Sequence, residues 1–428
     1  MGAQKKIFVA CPTPRDIKEL PRIVDYNDYQ FIYQDYVTEN LERLIYEDGS
    51  EEGRVDDIPA MIDALIAEYS DGSLAGIISS DDYPGINIAS AVAQRLGLAS
   101  PSPEVILQCQ HKYYSRCLQK KFVPEAVPQF ALLDMHAPAH TQKPVDYPFF
   151  LKPVKSVFSC FAQSIASPAD LEQAFKNKLP NTDFFIPFNQ LLKRYTNLEH
   201  DAHHMISEEL LGGHQVTVEG YVFKGEVGFF GVVDSVMFPG TICFQRFEYP
   251  SQLTDAVQDR MKDIARRCMK GIGLDNGLFN IEMFYNPAVD TIHIIEINPR
   301  MAGQFADLYE KVDGSNSYEA LVSIAVGKKP VLKKKEGEFK VAASFVLREF
   351  ENKWVEKVPD AQQIKKAHEQ FPELRVEIFA EEGKPLSSTL QDGKSYRYGL
   401  IHLGADSWSV LEEKFQKCKQ ILEVTFRI

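Results

Sequence analysis

Two acidic segments on either side of a short turn give the clearest chemical signal in this sequence. Residues 279–284 and 291–298 are rich in apolar and β-branched residues, so we predict that they pair as antiparallel strands. The expected register sets Glu282 directly against Glu296. Opposed carboxylates destabilise a sheet unless a cation lies between them. The hairpin therefore predicts a divalent metal site, and the alternative is a solvated hairpin whose acids face water.

The same register sets Phe284 against Ile294. The second strand also contains a further candidate metal ligand. Asn298 lies two residues after Glu296, so it points to the same face and offers a third hard oxygen ligand, as magnesium prefers. Arg300 follows at once. Its forked, permanent cation suits a phosphoryl group or a developing oxyanion.

Glu282 and the run Glu296-Ile-Asn298-Pro-Arg300 resemble the metal-binding pattern of the ATP-grasp superfamily of carboxylate–amine ligases and related carboxylases. In that superfamily, a glutamate and a strand ending Glu-x-Asn-x-Arg bind the metals that bridge the ATP phosphates. The resemblance implies ATP and magnesium (or manganese) as cofactors. It makes Glu282, Glu296 and Asn298 metal ligands and Arg300 a catalytic residue.

Two lysines upstream stand where the family order places its phosphate-binding cations. Lys112 opens a predicted helix, and Lys152 lies on a predicted strand at 149–153. Either lysine alone would pass for an ordinary surface residue. By resemblance, both bind the nucleotide, and Lys152 also serves catalysis.

The segment 205–214 resembles the family's crossing between two lobes, which grips adenine. The resemblance implies that Glu208 or Glu209 accepts from the exocyclic amine, that the amide of Leu211 meets the ring, and that His214 or Glu219 binds ribose.

Further site residues follow from the same resemblance. Arg246 is the candidate cation for the γ-phosphate, and Gly303 and Gln304 are candidates for the substrate site. One departure concerns the loop after Lys152, where the family places glycines that let backbone N–H groups approach phosphate. Residues 154–161 contain no glycine, so turnover is a weaker expectation than nucleotide binding.

The order of predicted elements indicates an α/β and α+β protein with three domains. Residues 1–104 alternate strands and helices and predict a doubly wound, Rossmann-like pre-ATP-grasp domain. Residues 105–330 would form the two-lobed ATP-grasp domain, and residues 331–428 an α+β cap. Within the second part we predict one helix over Glu104–Gln119, and we predict a linker at Lys328–Lys335.

The composition and net charge of the chain limit the kinds of partner that we expect it to bind. The chain has 428 residues, a formal net charge of −13 and no apolar run near the roughly 18 residues that span a membrane. We therefore expect no nucleic-acid partner and no membrane partner. The seven scattered cysteines, and an apolar stretch at Ile7–Ala10 too short for a signal peptide, predict a cytoplasmic protein.

By resemblance, the predicted activity is ATP-dependent ligation of a small carboxylate to an amine through an acyl phosphate, with release of ADP. Amino acids or small carboxylic acids are the expected substrates. The alternatives are a biotin-carboxylase-like enzyme that activates bicarbonate and a non-catalytic ATP-binding sensor or scaffold. No Ser-His-Asp signature stands out in the sequence. Relatives often form homodimers, and the sequence does not decide the oligomeric state.

Overall fold

The computed structural model describes residues 5–23, 29–45, 55–177, 180–389, 391 and 395–427. The strands are β1 Lys5–Val9, β2 Tyr29–Tyr33, β3 Leu74–Ile78, β4 Phe130–Asp134, β5 Phe149–Pro153, β6 Gln163–Ile165, β7 His204–Glu209, β8 His214–Phe223, β9 Glu226–Met237, β10 Phe244–Tyr249, β11 Gly277–Asn286, β12 Thr291–Asn298, β13 Val341–Glu349, β14 Trp354–Lys357, β15 Arg375–Ile378, β16 Tyr396–Ala405 and β17 Thr425–Arg427. The helices are α1 Pro14–Ile23, α2 Thr38–Arg43, α3 Ile58–Glu68, α4 Gly85–Leu96, α5 Pro103–Gln110, α6 Lys112–Phe122, α7 Pro168–Lys176, α8 Ile186–Tyr195, α9 Asp255–Ile272, α10 Ala306–Asp313, α11 Ser317–Ala325, α12 Ala361–Gln370 and α13 Trp408–Ile421.

The first part of the chain is a small parallel α/β sheet with the strand order β2-β1-β3. Its central strand carries Ile7, Phe8 and Val9, all of which are buried, as expected of a parallel strand covered on both faces. The carboxyl end of β3 leads into Asp81 and Asp82 and then into α4. These two acidic residues therefore lie in the loop that follows the sheet, near the middle of the molecule.

The prediction of one helix over Glu104–Gln119 is wrong, because two helices share this stretch. α5 ends at Gln110 and α6 begins at Lys112, while His111 between them has an extended backbone. The His111 ring is fully buried, and its Nε2 lies 3.1 Å from the carbonyl oxygen of Asp201. This break makes Lys112 the first residue of a new helix, aimed at the site.

Two antiparallel sheets form the rest of the scaffold. The smaller has the order β4-β7-β5-β6, and the larger has the order β12-β11-β8-β9-β10-β13-β16-β15. The larger sheet combines strands from both sides of residue 330, so it does not divide the chain at that point. The division into three domains stays a prediction. Gln304, in the segment after β12, donates a hydrogen bond to Ser344 on β13.

The acidic hairpin pairs as predicted at its functional end and differs near its turn. Glu282 is the register partner of Glu296, but Phe284 pairs with His293 rather than with Ile294. A β-bulge between Glu282 and Met283 leaves Ile295 as an extra residue on β12. The predicted register is therefore correct at the two glutamates and wrong between the bulge and the turn.

The last part of the chain packs α12 and α13 against the large sheet. The Phe345 and Phe415 rings stack with centroids 3.9 Å apart and join β13 to α13. A separate two-stranded sheet pairs β14 with β17. Among the described residues, no helix is both long and apolar enough to cross a membrane.

Candidate functional site

The opposed acids on β11 and β12 have different partners. Glu296 pairs with the Nζ of Lys112 at 2.8 Å, whereas Glu282 accepts only a neutral hydrogen bond from Gln215, at 3.0 Å. Burial, and then the charge of Glu296, raise the pKa of Glu282 to about 7. Burial also disfavours the charged form of Glu296, but Lys112 and Lys152 outweigh it and lower the pKa of Glu296.

The residues around this pair fit a magnesium ion. Asn298 donates its Nδ2 to Asn280 Oδ1 at 3.3 Å, which leaves its own oxygen available beside the two carboxylates. Within the part of the chain that the structure describes, no three His, Cys, Asp or Glu side chains are grouped to hold a metal by themselves. Two carboxylates and an amide suit an ion that keeps water and phosphate oxygens as its other ligands.

The second lysine belongs to the facing sheet. Lys152 on β5 is buried, and its Nζ lies 2.7 Å from Glu208 on the neighbouring strand β7. Burial would raise the pKa of Glu208, but Arg116 and Lys152 outweigh it and hold that pKa at about 2. Lys112 contacts Glu296, and Arg116 from the same helix contacts the Glu208 that Lys152 also contacts, so the two lysines and the acid pair belong to one cluster.

Arg116 is the residue that sequence reasoning missed. It lies one helical turn after Lys112 and is buried, with its Nε donating to Glu208 at 2.6 Å. Its two other nitrogens donate to the carbonyl oxygens of Ile294 and Ile295, at 2.6 and 2.8 Å. One guanidinium therefore holds helix α6, strand β7 and the bulge beside Glu296 together. Only its helical spacing from Lys112 could have signalled it.

The crossing between the two sheets begins where β7 ends. Glu208 is committed to two buried cations, whereas Glu209 is exposed and accepts a hydrogen bond from the amide of Gln129. Gly213 has a φ of 128°, and a Cβ there would lie 2.2 Å from a backbone oxygen, so only glycine fits. Leu211 is half-buried within this crossing, and His214 is exposed just after it. The adenine and ribose roles stay predictions.

Glu219 is not available to ribose. It has no exposed surface and accepts hydrogen bonds from the amide of Ala302 at 2.6 Å and from the Tyr309 hydroxyl at 2.9 Å. Burial raises its pKa to about 8. Glu219 instead anchors the turn that follows Arg300.

The glycine-free loop after Lys152 has a backbone that glycine would favour. Phe158, Ser159 and Phe161 have φ values of 47°, 57° and 60°, which lie in the left-handed region. Ser156 donates its hydroxyl to the carbonyl of Cys160 inside the loop. These three residues therefore adopt left-handed backbone conformations without the freedom that glycine would give.

Lys155 of the same loop points inward. Its side chain is 2% exposed, and its Nζ lies 3.5 Å from Asp82 and over the Tyr83 ring at 4.5 Å from the centroid. Asp82 also accepts from Arg300 at 3.2 Å. Burial opposes ionisation of Asp82, but Lys155 and Arg300 outweigh it and hold its pKa at about 2. The neighbouring Asp81 has a pKa raised to about 7 by burial.

A cavity of about 250 Å³ opens beside the acid pair. Its wall combines polar residues with three phenylalanines, namely Arg15, Thr217, Ser235, Phe244, Phe247, Asn280, Glu282, Asn298, Arg300, Ala302, Gly303, Gln304 and Phe305. The hydroxyl of Ser235 is buried and has no partner among the described residues. Arg246 is not part of this wall, because its guanidinium bonds to Glu248 at 2.6 Å. Its γ-phosphate role stays a prediction.

Gln304 is oriented by residues that lie outside the cavity wall. Its Nε2 donates to Ser344 Oγ at 2.9 Å, and that hydroxyl lies 3.2 Å from His402 Nε2. The other ring nitrogen of His402 lies 3.6 Å from Asp307. A serine, a histidine and an aspartate thus stand in a row that the sequence did not indicate. Ser344 has no exposed surface, so the row positions Gln304 and supplies no nucleophile.

The family model for the ATP-grasp domain matches residues 145–307. These residues form an ATP-grasp domain. The matched segment holds Lys152, the crossing at 205–214, the acid pair and Arg300, whereas Lys112 and Arg116 precede it. Within the matched segment, Lys152 and the acidic hairpin lie on two different sheets.

The chain is also similar to a curated protein over two thirds of its own length. The uncharacterized protein y4rH of Sinorhizobium fredii (strain NBRC 101917 / NGR234) is 25% identical over 295 residues, which are 67% of this chain and 56% of that protein. The chain thus spans about half the length of this curated relative.

Two solved structures share the fold over almost the whole chain. The L-amino acid ligase from Bacillus licheniformis has a TM-score of 0.71 at 15% identity, with 99% of each chain covered. The biotin carboxylase domain of Hydrogenobacter thermophilus 2-oxoglutarate carboxylase, solved with MgADP, ADP and bicarbonate, has a TM-score of 0.66 at 13% identity, with 99% of this chain and 91% of that chain covered.

Proposed function

We propose that this protein is an ADP-forming ligase that joins a small carboxylic acid to an amine through an acyl phosphate. The observation that carries the proposal is one cluster in which Lys112 contacts Glu296 and Lys152 contacts Glu208, with a cavity of about 250 Å³ beside it that Glu282 lines. ATP would lie with its phosphates between the lysines and the acids. Glu282, Glu296 and Asn298 would hold magnesium or manganese, which neutralises phosphate charge when bound.

The residues of the chain supply position and charge in this scheme. The substrate carboxylate forms a bond to the γ-phosphorus while the bond from that phosphorus to the β-phosphate oxygen breaks and ADP leaves. An amine nitrogen then bonds to the acyl carbon, and inorganic phosphate leaves. Lys152 would offset charge on the phosphates, and Arg300 would stabilise the oxyanion of the tetrahedral intermediate.

The cavity wall favours amino-acid-like substrates over bicarbonate. The rings of Phe244, Phe247 and Phe305 pack in sequence with centroids 4.8 and 5.0 Å apart, and they offer an apolar surface to a side chain. Gln304 and the unpartnered hydroxyl of Ser235 offer polar contacts. An ion as small as bicarbonate would leave most of this space unused. We further propose a cytoplasmic enzyme that forms homodimers.

An ADP-release screen tests this function. The full chain is incubated with ATP and magnesium, and with amino acids and small carboxylic acids supplied singly and in pairs. The expected result is ADP and phosphate release that requires a carboxylate and an amine together. Tight ATP binding with no ADP from any pair would support a sensor instead. Bicarbonate-dependent ADP release stimulated by biotin would support the carboxylase, and pyrophosphate as product would exclude this chemistry.

A further inference from the structure

Two arginines oppose each other on neighbouring strands of the large sheet. Arg348 on β13 and Arg397 on β16 are register partners, at the point where this ladder is shifted by an irregularity. Like charges directly opposed across strands destabilise a sheet. The pair is the cationic counterpart of Glu282 and Glu296 on the same sheet. A negative group between the two arginines would offset their repulsion.

The described residues supply little negative charge at this pair. Arg348 donates from Nη1 to the Ser395 hydroxyl, and its Nε is buried with no hydrogen-bond partner in the described part of the chain. Arg397 has no carboxylate within ion-pair distance among the described residues. Its guanidinium lies over the Phe379 ring, 4.9 Å from the centroid. An aromatic face attracts a cation but does not neutralise it.

A third arginine concentrates the charge. Burial, then Arg348 and then Arg15 lower the pKa of Arg397, and Glu377 and Glu42 act in the opposite sense. Glu377 is already committed, because one of its oxygens accepts from both Nε and Nη2 of Arg15, at 2.9 and 2.7 Å. The cluster therefore carries an excess of positive charge that a bound anion would offset.

The cluster adjoins the cavity beside the acid pair. Arg15 lines that cavity together with Arg300, and its Nη1 donates no hydrogen bond to the described residues. Arg397 also lies near the Phe158 ring, 5.9 Å from its centroid, and Phe158 belongs to the loop after Lys152. An anion held by these arginines would thus lie between the phosphate loop and the substrate cavity.

We propose that Arg15, Arg348 and Arg397 form an anion subsite that binds a carboxylate or phosphate group of the substrate, distinct from the carboxylate that becomes activated. The subsite rests on the proposed function, since its ligand is a substrate of that reaction. Forked guanidinium groups match planar and tetrahedral oxyanions in two-bond contacts. The substrate class is accordingly one with a second anionic end, such as a dicarboxylate, an amino acid held by its α-carboxylate, or a phosphorylated acid.

Anion binding to the full chain tests the subsite without turnover. Thermal unfolding is followed against increasing succinate and, separately, inorganic phosphate, at constant ionic strength and without ATP. Wild type is compared with Arg397→Met and Arg348→Met. We expect each variant to bind the preferred anion about tenfold more weakly or worse. In buffer without these anions, each variant should unfold at the same temperature as wild type or higher, because the repulsion is relieved. Stronger stabilisation by succinate identifies a carboxylate subsite, and stronger stabilisation by phosphate identifies a phosphate subsite.

Arg260→Met is the matched control, because Arg260 is an exposed arginine on α9 that pairs with Asp290. It should respond to both anions as wild type does. If the methionine variants respond to both anions as wild type does, the subsite is refuted. Should they fail to fold, Arg397→Lys and Arg348→Lys replace them, and unchanged anion affinity in those variants refutes it as well. Because no ATP is used, an absence of ligation in the ADP screen leaves this result intact.

Discussion

Glu282 and Glu296 occupy one register position but do not have interchangeable surroundings. Glu296 is held by Lys112, whereas Glu282 is held by a neutral amide and has its pKa raised to about 7. Exchanging either acid for its amide removes one negative charge from the proposed metal site. The effect on folding should differ, because among the described residues Glu296 has an ion-pair partner in Lys112 and Glu282 has none.

We predict that Glu282→Gln and Glu296→Gln each reduce metal-dependent ADP release by at least about 100-fold. Glu296→Gln should also lower the free energy of unfolding by about 1–2 kcal/mol, because it leaves Lys112 unpaired. Glu282→Gln should leave that free energy unchanged or raise it. Urea unfolding without metal, together with the ADP assay, measures both effects. Normal ADP release in either variant would remove that residue from the metal site.

A second residue-scale prediction concerns Glu219. Its pKa is raised to about 8 from an ordinary value near 4.5, so the folded protein retains a proton that the unfolded chain releases. The contribution of Glu219 to stability is therefore complete below about pH 4.5 and is lost as the pH rises through 8, by roughly 4 kcal/mol. Glu219→Gln mimics the protonated form and should be more stable than wild type at pH 8.5. The two proteins should converge at pH 5, as urea unfolding at both values would reveal. A constant difference between them would contradict the assignment.

At the scale of elements, the bulge on β12 decides where the acid pair points. Arg116 donates to the carbonyls of Ile294 and Ile295 on one side and to Glu208 on the other. A single side chain from α6 thus fixes the strand that carries Glu296.

We predict that Arg116→Met lowers the free energy of unfolding by about 3 kcal/mol, because a buried acid and two carbonyls lose their donor. Arg116→Lys should recover little of this loss, since an ammonium group lacks the fork that reaches three acceptors. Arg267→Gln is the control: Arg267 forms an exposed ion pair with Glu125, so its loss should cost less than about 1 kcal/mol. Urea denaturation of the three variants provides the comparison, and similar losses in all of them would argue against the role of the bulge.

The sequence predicted elements well where the evidence was local. The predicted strand Phe149–Pro153 agrees with the structure because apolar patterning acts over a few residues. The pairing of Glu282 with Glu296 was also predictable. The bulge at Ile295 was not, because its cause is an arginine about 180 residues away in the chain.

At the scale of the whole molecule, Asp82 connects three distant parts of the chain. It follows the N-terminal sheet and meets Lys155 of the glycine-free loop and Arg300 after the acidic hairpin. Neither contact was predictable, because nothing in local sequence brings residues 82, 155 and 300 together. The cavity and the arginine cluster escaped sequence reasoning for the same reason.

Asp81 and Asp82 provide a matched pair of substitutions. At pH 7.5, Asp82→Asn should lower the free energy of unfolding by about 1–2 kcal/mol, because it removes a carboxylate held between two cations. Asp81→Asn should be neutral or stabilising, because Asp81 has a pKa of about 7 and its main contact is the amide of Gly85, which asparagine can also satisfy. Thermal unfolding of both variants tests this contrast. Equal losses would indicate that Asp82 has no special role in joining the parts.

The ion pair between Lys112 and Glu296 makes the two ligands of the cleft thermodynamically coupled. While they are paired, neither residue is available to an external partner. A divalent ion that takes Glu296 releases Lys112 for a phosphate, and a phosphate that takes Lys112 releases Glu296 for the ion. Nucleotide and metal should therefore bind with positive cooperativity, and linkage requires each to raise the affinity of the other by the same factor. Titrating one ligand at several fixed concentrations of the other, in wild type and in Lys112→Met, would show how much of that cooperativity the ion pair provides.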